Sequence, residues 1–301
     1  MKHTLKITLL LVFIFLISQI IGLAITNKYI DYTTTTETGK VAFKALPYNV
    51  ARPIVKESTS FTYIIAAVLI GTLLVFLLMR FKKVMWWKAW FFLSVWLVLT
   101  VAFASVLKQD IALLLALGLA IWKIFKPNII IHNLTEIFIY GGLAAIFVPM
   151  MNIFAGIMLL LLISIYDMFA VWKSKHMIKL AKFQTESKVF AGLLIPYKGK
   201  KKIKKEIPKI KEKVPTKIRK AILGGGDIGF PLIFAGIVMK KIMLENIAII
   251  GFLKSLIIPF IVSIALLILF IKGEKDKFYP AMPFLSIGCI IGYLIVILVG
   301  F

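Results

Sequence analysis

Long apolar runs, separated by short charged or turn-forming segments, make up most of the chain. The runs over 5–25 and 153–172 each reach the roughly 20 apolar residues that a helix needs to cross a bilayer. We therefore predict an all-α, polytopic membrane protein with nine transmembrane helices. The predicted spans lie near residues 5–26, 60–80, 85–107, 110–125, 129–149, 153–172, 221–239, 246–271 and 280–301.

These spans divide the sequence into three parts of a single membrane domain. Spans one to six occupy 1–172, a basic loop occupies 173–220, and spans seven to nine occupy 221–301. Nine spans of about 20 residues use roughly 180 residues, so we expect no folded domain outside the bilayer. The polar connection over 27–58 is expected to form an ordered or partly ordered outside loop.

Positive charge is concentrated between spans six and seven. Of the 301 residues, 61% are hydrophobic and only 17% are charged, yet the net charge is +24. Residues 173–220 contain 17 Lys or Arg and three Glu, a net charge of +14. Because positively charged loops stay on the cytoplasmic side, this loop and the N-terminus are predicted to be cytoplasmic, and the C-terminus to lie outside the cell membrane. No aromatic residue interrupts the Lys-rich tract over 198–220, which favours contact with anionic lipid over nucleic-acid binding.

Disulfide and metal chemistry are not favoured by the residues present. Cys289 is the only cysteine, so no intramolecular disulfide can form. The three histidines, His3, His132 and His176, have no spacing that would place two of them on one helical face. We therefore predict that the protein uses neither a metal nor an organic cofactor.

Two carboxylates lie well inside predicted spans, with apolar neighbours on both sides. Asp167 is near the end of span six, and Asp227 is near the start of span seven. Burying a carboxylate in hydrocarbon is costly, so each is a candidate functional residue. Asp167 lies six residues before Lys173, and Asp227 lies seven residues after Lys220. At about 1.5 Å per residue, both lie roughly 9 to 10 Å below the same face of the membrane. Antiparallel spans joined at that face can bring the two carboxylates together.

Such a pair is suited to acid and base chemistry. Two carboxylates close together in a low dielectric cannot both ionise easily, so the pair tends to hold one proton near neutral pH. One Asp can then take a proton from a water that attacks a peptide carbonyl, while the other donates one. Aspartic proteases divide acid and base roles in this way.

The sequence around the candidate site weakens regular helix. The glycines at 224–226 permit close backbone approach and loosen the start of the helix, which gives water a route to Asp227. Pro280 and Pro283 disturb the first turn of span nine, and open backbone at membrane depth is tolerated only against protein or a wet cavity. Tyr166 points about 100° away from Asp167 on a helix, so its phenol is expected to support the site rather than to react.

Three motifs in this order resemble those of a known family. Tyr166-Asp167, Gly224-x-Gly226-Asp227 and Pro280-Ala281-Met282-Pro283 are similar to the YD, GxGD and PAL motifs of the presenilin and signal peptide peptidase family of intramembrane aspartyl proteases. The nine-span pattern and the long loop between spans six and seven also resemble that family, so the likeness covers essentially the whole chain. Met282 stands where the family has Leu, a nearly volume-conserving difference. The compact, Lys- and Ile-rich sequence suggests a prokaryotic, archaeal homologue.

The resemblance implies a presenilin-like fold and a catalytic role for Asp167 and Asp227. It implies that Tyr166, Gly224, Gly226, Pro280, Ala281 and Met282 support the active site and the substrate. It further implies that the substrates are single-span membrane proteins with their N-termini outside, which are cleaved within or near the span. The sequence leaves open whether accessory subunits exist.

A proton- or ion-coupled transporter is the alternative function. Paired intramembrane acids beside helices broken by Gly or Pro also form transport sites. The odd number of spans and the lack of a visible repeat argue weakly against a transporter, and the order of the three motifs argues strongly against it. A purely structural membrane protein would leave both carboxylates without a purpose. We therefore expect an intramembrane aspartyl endopeptidase.

Three further features have more than one interpretation. The apolar segment 189–196 inside the basic loop is expected to return to the membrane near the two Asp and to pair with an extended substrate, the alternative being a segment that lies on lipid. Lys254, inside span eight, can snorkel, pair with an acid or line a wet cavity. His132 and Glu136 are interpreted as interface residues at the cytoplasmic end of span five.

Overall fold

A computed structural model describes residues 4–173, 180, 183, 184, 187, 189–198, 218–243, 248–274 and 279–300 of the chain. Its helices are α1 (Leu5–Lys28), α2 (Tyr32–Thr38), α3 (Ser60–Arg80), α4 (Val84–Ala104), α5 (Gln109–Phe125), α6 (Ile129–Phe147), α7 (Ile153–Met168), α8 (Gly225–Ile242), α9 (Ala248–Ser255), α10 (Ile257–Lys272) and α11 (Met282–Leu298). Its strands are β1 (Ile30–Asp31), β2 (Ala42–Phe43), β3 (Gly192–Lys198) and β4 (Ile218–Gly224). A π-helical turn over Phe169–Lys173 continues α7.

Helices occupy the place of every predicted span, which confirms a helical, multi-pass membrane protein. Within the described ranges, six stretches are long and apolar enough to cross a membrane, and the nine-span count stays a prediction. The six are Leu5–Lys28, Glu57–Arg80, Val84–Ala104, Ile129–Met150, Ile153–Lys173 and Ile249–Lys272. Large apolar side chains remain exposed along these helices, as expected for surfaces that face lipid.

Two predicted spans differ in detail from the helices observed. The span predicted over 221–239 begins as a helix only at Gly225, because residues 221–224 belong to strand β4. The span predicted over 246–271 is interrupted at Leu256, between α9 and α10. Pro259 explains this break, because it has no backbone N–H and its ring conflicts with the carbonyl four residues earlier, at Ser255.

Helix α8 lies at the centre of the helical bundle. It packs against α1, α6, α7, α9, α10 and α11, and most of its side chains are buried. Glycines on neighbouring helices permit this close packing: a Cβ at Gly22 of α1 would lie 2.3 Å from Leu232, and one at Gly156 of α7 would lie 3.1 Å from Phe234. The helix that begins with the glycine-rich motif is therefore the one that the others surround.

A β-hairpin leads directly into α8. Strands β3 and β4 are antiparallel, in a register that pairs Gly192 with Gly224 and Lys198 with Ile218. The amide of Gly225 extends the pairing by donating to the carbonyl of Ala191 across 3.1 Å. The apolar segment 189–196 thus forms most of β3 and lies beside the start of α8.

The connection between α1 and α3 contains β1, α2 and β2, in line with the expected ordered or partly ordered loop. Asp31 caps α2 by accepting the Thr34 amide at 3.3 Å, and β1 pairs with β2. The hydroxyl of Tyr29 donates to the carbonyl of Val101 at 2.7 Å, and burial raises the pKa of that phenol to about 12. The Tyr29 contact fastens the start of the loop to α4.

Lys254 of α9 has a partner that the sequence did not indicate. Its ammonium group donates to the backbone carbonyl of Gly300 across 2.7 Å. Carbonyls at the end of a helix have no intrahelical partner, so a lysine side chain can satisfy one of them. The contact ties α9 to the residues that follow α11.

Candidate active site

Asp167 lies at the end of α7 in a buried position. Asp167 is 7% exposed, and its Oδ2 accepts a hydrogen bond from the backbone amide of Met282 at 3.1 Å. One turn earlier, the hydroxyls of Ser164 and Ser286 lie 2.8 Å apart. These polar contacts join α7 to the start of α11, and one of them involves the candidate catalytic carboxylate.

The start of α11 explains why a backbone amide is free to bind Asp167. The helix begins at Met282, with Pro283 in its first turn, and the first N–H groups of a helix have no intrahelical partner. The Ala281 amide is a second backbone neighbour of the same carboxylate. The Met282 side chain is buried, as the Leu that it replaces in the family motif is expected to be. The structure therefore brings the Pro280 to Met282 segment to Asp167.

Asp227 lies in the first turn of α8 and is half-buried. Gly224 precedes the helix with extended backbone angles, φ −65° and ψ 149°. A carboxylate near a helix N-terminus is stabilised by the free amides and the dipole of the helix. Asp227 is thus placed beside the free amides of the first turn, and part of the residue remains accessible.

The glycines before Asp227 have close side-chain neighbours that leave little room for a Cβ atom. A Cβ at Gly224 would lie 3.2 Å from Oδ2 of Asp227 itself. One at Gly225 would lie 2.7 Å from the hydroxyl of Tyr140, and one at Gly226 would lie 3.3 Å from the ring of Phe230. A side chain at the first position would press directly on the candidate catalytic carboxylate.

The two Asp residues lie at the same end of the α7 and α8 pair. Gly156 of α7 faces Phe234 and Ile237 of α8, so this contact fixes the relative height of the two helices. At 1.5 Å per residue, Asp167 is about 16 Å beyond it, and Asp227 about 10 to 15 Å beyond it, both toward the β3 and β4 hairpin. The depths inferred from the lysines are compatible with this arrangement, and the catalytic roles stay a prediction.

Tyr166 contacts a different helix from its neighbour Asp167. Its hydroxyl lies 3.2 Å from the hydroxyl of Thr72 in α3. The contact ties α3 to α7 just beside the site. The expected supporting role of Tyr166 stays a prediction.

Strand β3 has partners on both edges. One edge pairs with β4, and on the other edge the side chain of Asn133 binds both the amide and the carbonyl of Leu194, at 2.9 and 2.8 Å. The expectation that an edge of 189–196 pairs with a substrate is therefore wrong for β3. The amide and carbonyl of Ile222, which pairs with Leu194, point away from β3, because a non-hydrogen-bonded antiparallel pair turns these groups outward.

Sequence reasoning missed three residues near the site. Gln19 of α1 is buried, and its Nε2 donates to the carbonyl of Ile228, one residue after Asp227, at 2.8 Å. Tyr140 of α6 lies against Gly225. Glu136 was interpreted as an interface residue, and this is wrong, since it is 1% exposed. A polar side chain inside an apolar run was the available signal for Gln19.

The ranges that the structure describes contain no group of three or more His, Cys, Asp or Glu placed to hold a metal ion. The prediction of a cofactor-independent site rests on the sequence.

Comparisons with known proteins identify similar chains. A family model described as signal-peptide peptidase, presenilin aspartyl protease matches residues 12–300. A solved structure of a presenilin family intramembrane aspartate protease in space group C222 has a TM-score of 0.61 and 16% identity, over 97% of this chain and 99% of that one. Another, in space group P2, has a TM-score of 0.59 and 16% identity, over 96% and 97%. No curated protein matches the chain significantly.

Proposed function

Because the chain belongs to the signal-peptide peptidase, presenilin family of aspartyl proteases, we propose that Asp167 and Asp227 together hydrolyse peptide bonds of membrane-embedded substrates. The family model covers nearly all of the sequence, so the chain is an intramembrane aspartic-type endopeptidase. None of the comparisons supports a transporter.

The observation that carries the assignment of residues is the contact between Asp167 and the amide of Met282. It joins the YD-like and PAL-like motifs, which are more than 100 residues apart in the sequence, at one carboxylate. The GxGD-like motif begins α8 at the same end of the bundle. The location of the three motifs at one end of the bundle supports the proposal that both acids belong to one site.

The proposed reaction adds water directly to the scissile carbonyl. The ionised Asp takes one proton from the water as its oxygen bonds to the carbonyl carbon, and the protonated Asp donates its proton to the carbonyl oxygen. The resulting tetrahedral intermediate breaks its C–N bond as the Asp that took the water proton donates it to the leaving nitrogen, and the other Asp takes a proton from a hydroxyl of the intermediate. The products are a carboxylic acid and an amine, and the two Asp end with the single proton they started with.

We place nine spans in the cell membrane, with the N-terminus and the 173–220 loop in the cytoplasm and the C-terminus outside. The +14 charge of that loop supports this orientation. The site then lies toward the cytoplasmic side, because both Asp are at the end of the bundle that carries the hairpin. Substrates would be single-span proteins with their N-termini outside.

A substrate helix has to reach the site sideways from the lipid and then unwind. Helical carbonyls are already hydrogen-bonded and shielded from a nucleophile. The outward-pointing backbone groups of Ile222 in β4 offer partners to an extended segment, so we place strand addition on β4 rather than on β3. A substrate strand bound there would lie next to Gly224 and Asp227.

The function is tested with purified protein in liposomes that contain a single-span substrate labelled at both ends. The proposal predicts two fragments, with one ¹⁸O from labelled water in the new carboxyl group of the N-terminal fragment, and inhibition by a peptide analogue with a hydroxyl in place of the scissile carbonyl. Uptake coupled to a proton gradient, with an intact substrate, would instead support the transporter.

A further inference from the structure

A buried ion pair lies between α5 and α6. Nζ of Lys123 is 2.6 Å from Oε1 of Glu136, and the two residues are 4% and 1% exposed. The Lys123 ammonium also donates to the Thr135 hydroxyl at 3.0 Å. Taking two charges out of water is costly, and a buried ion pair stabilises a fold only weakly. Stability alone therefore does not explain why this pair is present.

The second oxygen of Glu136 binds the start of the hairpin. Its Oε2 accepts the backbone amide of Gly192 at 2.9 Å and also accepts the hydroxyl of Tyr140. Lys123 therefore balances the charge through one oxygen, while the other oxygen is used for positioning. Hydrogen bonds to a charged acceptor are roughly twice as strong as those between neutral groups.

The peptide that Glu136 binds is the one that binds α8. In a trans peptide the C=O and N–H groups point to opposite sides, so the Ala191 to Gly192 peptide binds Glu136 with its N–H and Gly225 with its C=O. Gly225 is two residues before Asp227. No other residue fits at 192, where φ is +136° and a Cβ would lie 2.1 Å from the carbonyl oxygen of Leu223.

Tyr140 forms a second connection between Glu136 and α8. Its hydroxyl lies 2.7 Å from the position of a Cβ on Gly225, and its ring lies 3.5 Å from that of a Cβ on Gly229. Because the hydroxyl is bound to Glu136, the ring is oriented against the first turn of α8. Both connections therefore converge on the turn that carries Asp227.

We propose that Glu136, with Tyr140, is a positioning residue that sets the place of Asp227 by fixing the Ala191 to Gly192 peptide and the first turn of α8. This rests on the proposed function, since Asp227 is taken as catalytic. Other contacts keep β3 docked on α6 without Glu136: Nε2 of His132 lies 2.8 Å from the carbonyl oxygen of Gly192, and Asn133 binds Leu194. Loss of Glu136 should therefore misplace Asp227 rather than release the hairpin.

The test compares two double variants that leave no unpaired buried charge. Lys123→Met with Glu136→Leu removes the pair and the acceptor, whereas Lys123→Met with Glu136→Gln removes the pair and keeps an acceptor for the Gly192 amide. We expect kcat for the Leu variant to fall by about tenfold or more, and the Gln variant to recover most of it, with KM within about threefold in both.

The matched control is Glu57→Gln, which breaks the 2.8 Å pair with Lys240 at the other end of α8 and should leave kcat unchanged. Equal kcat for the Leu and Gln variants, or a Leu variant within about twofold of wild type, would overturn the positioning role. If the Leu variant does not fold, Tyr140→Phe carries the test, with lower kcat at unchanged KM expected and unchanged kcat contradicting the proposal. An Asp227→Ala protein that cleaves normally would instead overturn the proposed function.

Discussion

The backbone amide of Met282 donates a hydrogen bond to Oδ2 of Asp167 across 3.1 Å. The donor is main chain, so the side chain at 282 can change while the contact is kept. We therefore predict that Met282→Leu retains activity, because the volume is nearly conserved. Met282→Pro removes the N–H and disfavours the helical backbone of Ala281, and its activity should fall by about tenfold or more. Peptide cleavage rates of the two variants check this, and equal rates would show that the amide is dispensable.

Gly192→Ala should inactivate the protein while leaving the helices in place. The positive φ of +136° and the 2.1 Å approach to the Leu223 carbonyl oxygen exclude a side chain, so the hairpin has to distort next to Asp227. Gly118→Ala is the matched control, because nothing lies within 4 Å of its Cβ position in α5. Circular dichroism should show the same helix content in both variants. Full activity of Gly192→Ala would mean that the local geometry is not needed.

Lys240→Met should lower thermal stability more than Glu57→Gln. The Lys240 ammonium binds Glu57 at 2.8 Å and also the carbonyls of Pro149 and Met151, both at 3.2 Å. Glu57 is nearly half exposed, so its loss should cost about 1 kcal/mol or less. Loss of the lysine leaves two carbonyls without this donor and should cost about 1 to 3 kcal/mol. Thermal unfolding in detergent measures both, and the reverse order would contradict this reading of the contacts.

The stability of the loop between α1 and α3 should depend on the charge of Asp31. The hydrogen bonds from the Thr34 hydroxyl, and then from its amide, lower the pKa of Asp31 in the folded protein. A lowered folded-state pKa means that the ionised form stabilises the fold above the unfolded pKa, and that this contribution is lost as the pH falls through the folded pKa. The difference in unfolding temperature between wild type and Asp31→Ala should therefore shrink as the pH falls below about 4. A difference that grows under acid would reverse the sign of this account.

The apolar pattern was sufficient to place the helices but not the hairpin. The residues from Ala221 to Leu223 are apolar and adjoin a helix, and a short apolar run does not distinguish a strand from the first turn of a helix. The partner strand lies more than 20 residues away across the basic loop, so neither strand is evident from local sequence. The boundary error at span seven follows from this.

The candidate site was partly accessible from the sequence for a physical reason. The cost of burying carboxylates singles out Asp167 and Asp227, and counting from the flanking lysines gives their depth. The binding of Asp167 to the Met282 amide could not be derived in this way, since it depends on how α7 and α11 pack. Glu136 was misread because its place near a span end suggests an interface, whereas the hairpin covers it in the folded protein.

The most direct test of the central claim is cleavage of a single-span substrate by purified protein in liposomes, comparing wild type with Asp167→Ala and Asp227→Ala. Asp110→Ala, at the start of α5, serves as a control for loss of an acid elsewhere. We predict that the wild type and the Asp110 variant cleave the substrate, and that each of the other two is inactive although folded. Cleavage at the wild-type rate by either folded variant would contradict a mechanism that needs both carboxylates.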